Sequence, residues 1–367
     1  MFANIYRGKK ILLTGHTGFK GTWLTTWLLH LGANVIGVSK DIPTNPSMFN
    51  ILKLSDKIQN VVLDIRNFKD ISKVISDNKP DFVFHLAAQA IVSTSYTDPF
   101  ETISSNTMGT TNILEALRIS NHQCKAIIIT SDKAYDNVEQ IWGYKENDQM
   151  GGKDIYSGSK GAAELIIKSY FHSFFKLRES NVCLAVARAG NVIGGGDWAK
   201  DRIVVDAVLA WSKNKPVKVR NPQATRPWQH VLEPLSGYLN LGKELFFNNK
   251  KFNGEGFNFG PSSKQNRTVK QLLSDLSRYW DLDINEKIII VKDPISFHEA
   301  TLLKLNCEKS LTLLNWRSVL DYKDTIRFTS EWYKNYYTEP NSAKIKTINQ
   351  IIEYEDFAKN KKLVWTE

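Results

Sequence analysis

The sequence predicts an α/β fold, a doubly wound parallel sheet carrying a smaller, mostly C-terminal lobe. Three observations predict it. Apolar runs of strand length alternate with helix-like stretches as far as Arg188. Three glycines at intervals of three fall on the first strand-to-helix turn. Beyond Arg188 the alternation weakens into the glycine-dense "NVIGGGDWAKD" and a tryptophan-rich remainder.

The runs "KILLTG", "NVIGVS", "VVLD", "DFVFHLA", "AIIITS" and "VCLAVAR" are almost continuously apolar, as strands covered on both faces must be. Between them "TWLTTWLLHLG", "ISKVISD", "TNILEALRIS" and "GAAELIIKSYFHSF" carry helical spacing. This pattern assigns residues 1–190 to a Rossmann-type dinucleotide-binding domain, with later returns to the sheet around residues 230–260, at "GFNFG". Residues 191–229 and 261–367 are assigned to a substrate-binding lobe.

Composition narrows the class. With 367 residues and 42% hydrophobic content the chain can bury a full core. Cys124, Cys183 and Cys307 form neither a close pair nor a metal-like cluster, which points to a reduced, cytoplasmic protein without a metal. No apolar stretch has the length of a signal peptide or a membrane span. The net charge of +10 is spread along the chain among acids, with no basic block, so nucleic acid is not the expected partner. A phosphate-bearing substrate would profit from the same field.

In "ILLTGHTGFKGTWL", Gly15, Gly18 and Gly21 let the backbone turn and approach a pyrophosphate held by the following helix N-terminus. Lys20 can add a cation there, and His16 and Phe19 share the loop. Asp64 and Ile65 of "LDIRN" fall where an adenine would lie. Ala87 and Ala88 of "HLAAQA" let the chain pass beside a cofactor, and Gln89 and Asn106 join the candidate set. At the end of the second strand, Ser39 takes the ribose position. Asp41 favours a free 2′-hydroxyl while Lys40 tolerates a 2′-phosphate, so NAD is expected with only a modest preference over NADP.

Chemistry is expected at the carboxyl ends of the later strands. There "DIYSGSKGAAE" sets Tyr156 and Lys160 at i and i+4, on one side of a helix. A lysine beside a phenol stabilises the phenolate and lowers its pKa from ~10 toward working pH. Tyr6 and Lys10 repeat the spacing but lead into the first strand, away from any crevice. "IIITSDKAY" offers Ser131, Asp132 and Lys133, and the last two are either an acid and base pair or a structural ion pair.

The glycine pattern, Ser131 and the Tyr156 and Lys160 pair resemble the extended short-chain dehydrogenase/reductase superfamily. Within it, "GHTGFKGTWL", "TSDKAYDN", "YSGSKGAAE", "AGNVIGGGDWAKDRIVVD", "RPWQHVLEPLSGYL" and "HEATLLKLN" resemble the CDP-glucose 4,6-dehydratase branch. The resemblance implies CDP-glucose as substrate, NAD as cofactor and a 4-keto-6-deoxy sugar as product, made in deoxysugar and surface-polysaccharide synthesis. It implies hydride transfer from sugar C4 to C6, with loss of water across C5 and C6. Tyr156 then serves as base at O4 with Lys160 and Ser131, Asp132 as the acid at O6, and Lys133 as the base at C5. Sister sugar dehydratases usually carry Asp-Glu at this place, so Lys133 departs from the wider pattern and matches the cytidine branch. Substrate contacts are expected from Asn191, Arg202, Arg220 and Arg226; Trp198, Trp228 and His230 read as core or lobe-packing residues, with a place near the nucleotide the other reading of His230. Relatives pair two helices across a homodimer, which matches "TISSNTMGTTNILEALRIS" and "SGSKGAAELIIKSYFHSFF" here. A dehydratase or epimerase for another nucleotide sugar, or a catalytically silent NAD-binding protein, are the alternatives.

Overall fold

The computed structural model describes residues 1–261, 265–280, 288–290 and 302–367. The first half of "HEATLLKLN" lies outside them.

Seven parallel strands form the central sheet: β1 (Lys10–Thr14), β2 (Asn34–Ser39), β3 (Gln59–Val62), β4 (Phe82–His85), β5 (Cys124–Ile129), β6 (Val182–Ala189) and β7 (Gly256–Phe259). Their order is β7-β6-β5-β4-β1-β2-β3. Alternate residues of each strand serve opposite faces. Leu13, Phe84, Ile127 and Ala185 enter one core, while Leu12, Val83, Ala126 and Leu184 enter the other. Both faces are dry, which explains the continuous apolar runs. Strand order reverses between β1 and β4, so the loops at their carboxyl ends splay apart and leave a crevice there.

Helices α1 (Phe19–His30), α2 (Phe68–Asn78), α3 (Gly109–Ser120) and α4 (Ile155–Tyr170) follow β1, β3, β4 and β5. Beyond β6, three two-stranded pairs build the region over the crevice: Val192–Ile193 with Gln229–His230, Thr225–Pro227 with Asn266–Thr268, and Val217–Val219 with Ile288–Ile290. The chain returns to the sheet through α5 (Leu232–Phe247), which packs on β5 and β6, and then through β7 at "GFNFG".

The C-terminus reaches back across this frame. Helix α6 (Ala343–Asn360) lies against α1, where the buried Trp27 indole donates 2.8 Å to Glu355 Oε1. One buried carboxylate anchors the segment before it. Glu233, at the start of α5, accepts hydrogen bonds from the Val319 and Leu320 amides and from the Tyr354 hydroxyl. Burial pushes Glu233 up to about 7 despite these donors.

A carboxyl whose folded pKa is raised contributes stability that is full below its unfolded pKa and lost as pH rises through the folded value. Between pH 5 and pH 8 the protein is therefore expected to lose about 2–3 kcal/mol that Glu233→Gln does not lose. Denaturant unfolding of both proteins at the two pH values checks this, and parallel pH profiles would contradict it.

Candidate active site

A cleft of about 1130 Å³ runs from the first glycine turn, past the ends of β4, β5 and β6, to the segment around Arg220. Its floor at β1 is shaped by crowding. Gly15 has φ +76°, and a Cβ there would lie 2.7 Å from the Ala87 amide nitrogen. A Cβ on Gly21 would fall 2.0 Å from the Gly15 carbonyl oxygen. Neither position admits a side chain. The bare backbone that remains faces the cleft at the N-terminus of α1, capped by Gly18, with Phe19 and Lys20 beside it.

His16, expected among the cofactor contacts, turns the other way. It is buried behind the cradle, with Nε2 2.7 Å from Asn60 Oδ1 on β3 and Nδ1 3.0 Å from Ser39 Oγ. Asn60 Oδ1 only accepts, so Nε2 carries the proton and Nδ1 receives the serine hydroxyl. Burial pushes the imidazole below its ordinary value. The ring fits because Gly37 lies beside it: a Cβ there would meet His16 Cδ2 at 2.5 Å. His16 is thus a strut that sets the turn.

Asn106 needs the same correction, and of the two readings of His230 the structure bears out core packing. Asn106 is buried off the cleft, where Oδ1 accepts from the Gln89 amide at 2.8 Å and Nδ2 donates to Ser159 Oγ at 2.9 Å. It positions Gln89, which does line the cleft. His230 sits in the core with no exposed surface, its ring edge-on to Trp23 and Phe328. Its strand pairs with Val192–Ile193 inside an apolar layer, and burial pushes the imidazole down to about 3. Both are polar groups whose partners or cages are distant in sequence.

The remaining expected residues border the cleft: Ser39, Asp41, Asp64, Ile65, Ala87 and Ala88 toward one end, Asn191, Arg202, Arg220 and Arg226 toward the other. Ser131, Asp132, Lys133, Tyr156 and Lys160 lie between them. Ser131 ends the loop after β5, where its hydroxyl accepts from the Lys133 amide at 3.2 Å and donates to Asp132 Oδ1 at 2.9 Å. Asp132 is buried and its pKa is raised, chiefly by that burial. Gly190 makes room for it: a Cβ there would stand 2.9 Å from Asp132 Oδ2. Asp132 and Lys133 make no ion pair within 4 Å among the described residues, so the structural-pair alternative has no direct contact behind it.

Tyr156 and Lys160 share one side of α4, with the ammonium 6.0 Å from the phenol ring centre. The expected depression of the phenol is absent. Burial, then the Asp132 carboxylate, push Tyr156 up to about 12, with Arg202 and the Ser131 hydroxyl offsetting part of the rise. Burial pushes Lys160 down to about 8. Lys20 is also taken down to about 8, by burial first and the Arg202 guanidinium next. The cleft therefore collects cations in a dry setting, where anionic oxygens find their strongest partners.

Sequence reasoning missed the support beneath this site. Glu164, one turn beyond Lys160, pairs bidentately with buried Arg188 of β6, at 2.7 and 3.0 Å. It also accepts from the Thr130 hydroxyl, while Arg188 donates 2.7 Å to the Tyr135 hydroxyl. The signal was a charged residue at i+8 from Tyr156, continuing the row of Tyr156 and Lys160.

The family model described as GDP-mannose 4,6 dehydratase matches residues 12–329. The chain belongs to this family. Among curated relatives, this dehydratase-family chain is 44% identical over 334 residues to CDP-glucose 4,6-dehydratase of Salmonella typhimurium, covering 90% of the chain and 92% of the relative. It is 25% identical to CDP-paratose 2-epimerase of Salmonella typhi, over 88% of the chain and 98% of that protein. Among solved structures, DesIV, a dTDP-glucose 4,6-dehydratase of Streptomyces venezuelae with NAD and TYD bound, superposes with a TM-score of 0.77 at 19% identity. That match covers 90% of this chain and 99% of the other.

Removing the charge of Glu164 leaves Arg188 buried and unpaired. Glu164→Gln is expected to destabilise the fold by about 3–5 kcal/mol. Urea unfolding measures this, and a loss under about 1 kcal/mol would show that water or another acid takes over the pairing.

Proposed function

We propose that the chain catalyses 4,6-dehydration of CDP-glucose to CDP-4-keto-6-deoxyglucose, with NAD as its resident cofactor. Support comes from the relative that shares 44% identity over nine-tenths of the chain. The observation that carries the reading is Asp132, a buried carboxyl whose pKa burial raises, next to Lys133 and lining one cleft with Tyr156. An epimerase has no need of a proton donor there, and a silent binding protein has no need of any of the three.

The cradle at Gly15 and Gly21, which a Cβ would fill, fits a dinucleotide pyrophosphate, with Lys20 supplying charge. Bound there, NAD would supply a hydride acceptor for sugar C4 and donor for C6, and its positive ring would favour the Tyr156 phenolate. Tyr156 accepts the O4 proton, with Lys160 and the Ser131 hydroxyl stabilising the charge it acquires. Lys133, in its neutral amine form, then takes the proton from C5, acidified by the new ketone, and gives a proton back to C5 as hydride arrives at C6. Asp132 delivers its own proton to O6 as that hydroxyl leaves. Arg202, Arg220 and Arg226 hold the diphosphate of the substrate.

Lys133→Met is therefore expected to complete the oxidation at C4 and stall, since the base at C5 is gone. Rapid-mixing absorbance should show NADH accumulating, overall turnover should fall by at least ~10²-fold, and solvent deuterium should fail to enter C5. Tyr156→Phe should show no NADH build-up. Near-normal turnover of Lys133→Met would move the base elsewhere, with Asp132 first in line.

The protein acts, on this reading, as a cytoplasmic homodimer. No helix among the described residues is long and apolar enough to cross a membrane. Phe100, Ile103 and Met108 on one helical stretch, and Ile155, Leu165 and Phe174 on the neighbouring one, are exposed. Two such apolar faces mask one another when copies pair. Light scattering at micromolar concentration should report a dimer, and a monomer would remove the proposal.

A further inference from the structure

The end of β2 decides which dinucleotide a doubly wound domain accepts. The residue about 20 positions beyond the glycines meets the adenosine ribose: an acid there binds a free 2′-hydroxyl, and a nearby cation accommodates a 2′-phosphate. In this chain β2 ends at Ser39, a neutral group, and the next residue is Lys40. Read in sequence, Lys40 opens the pocket to either cofactor.

The structure closes it from another element. Glu101 lies on the short helix Pro99–Ile103, 61 residues further on, and lines the same end of the cleft. Its Oε1 accepts from Lys40 Nζ at 2.6 Å and from Ser105 Oγ at 3.1 Å. Its Oε2 accepts from Arg66 Nη1. Arg66 is also held by Asp64, with Nη2 2.6 Å from Oδ2 and Nε 3.0 Å from both carboxylate oxygens. Glu101 is itself held in place, its amide donating 2.9 Å to the capping Asp98 carboxylate. Both cations near the ribose position thus already have carboxylate partners. Together with Asp41, the group comprises Lys40 and Arg66 against Asp41, Asp64 and Glu101, two positive charges against three negative.

We propose that Glu101 is the specificity-determining residue of the cofactor pocket: by occupying Lys40 and Arg66 it excludes dinucleotides that carry a 2′-phosphate. This rests on the reading of the cleft as a dinucleotide site. A 2′-phosphate, with a charge of about −1.5 to −2, must either displace Glu101 from both cations or settle beside three carboxylates. The 2′-hydroxyl of NAD does neither, and it can donate a hydrogen bond to the carboxylates already there. The preference for NAD is accordingly strong, where Ser39 and Lys40 alone pointed to a modest one.

Calorimetric titration of NAD and NADP into the intact protein, Glu101→Gln and Lys40→Ala/Glu101→Gln tests this. Wild type is expected to bind NAD at least about 30-fold more tightly than NADP. In Glu101→Gln, which keeps an acceptor for Ser105, NADP binding should tighten about tenfold or more with NAD changed less than about threefold. That gain should shrink with added salt and largely vanish in the double variant. If Glu101→Gln does not stay folded by circular dichroism, Lys40→Glu in the wild-type background is measured instead, where NADP should weaken further and NAD hold. An unchanged NADP to NAD ratio in Glu101→Gln, with both cofactors still bound, overturns the proposal and leaves the cofactor reading standing. Binding of neither cofactor by wild type removes both.

Discussion

The chemistry end of this molecule depends on the buried pair of Glu164 and Arg188. A lone charge in such a place would cost several kcal/mol, and each of these is matched instead by two hydrogen bonds to the other. From the pair, bonds spread to the elements around Asp132 and Lys133. Thr130 ties it to the end of β5, and Tyr135 ties it to the turn holding Asp132 and Lys133. Tyr135 continues to Asn258 of β7, whose side chain holds the Tyr144 and Asn306 carbonyls. Helix α4, with Tyr156 and Lys160, is thereby fixed to the sheet and to the region above it.

Above that support the cleft mixes charges whose burial costs are shared out. Lys20 and Lys160 fall to about 8, while Asp132 rises. All three shifts have burial as their first cause, and each leaves the group nearer its uncharged form. Proton exchange near neutral pH becomes cheaper for the two lysines than for any exposed one. The phenol follows the same rule, held away from phenolate by burial first and the Asp132 carboxylate next.

Much of this was legible in the sequence, for a physical reason. Strands buried on both faces need continuous apolar runs, glycines are needed where backbone meets backbone, and a helix aligns Tyr156 with Lys160 by its pitch alone. These are local constraints. His16 and Asn106 lie off the cleft, and His230 in the core, because a buried polar side chain is defined by partners far along the chain: Asn60, Ser159, and the cage of Trp23 and Phe328. The partner of Lys40 was out of sight for the same reason, since it stands on a helix after β4. Glu164 stood in the right row of α4, but nothing local marks Arg188 as its mate.

The strut at His16 also makes two positions answer to one another. A Cβ on residue 37 would stand 2.5 Å from His16 Cδ2, so a side chain there requires the ring to leave its bonds to Ser39 and Asn60. Changes at 16 and 37 are therefore non-additive: a methyl group at 37 costs the cradle its strut while the imidazole is present and escapes that clash once the ring is gone.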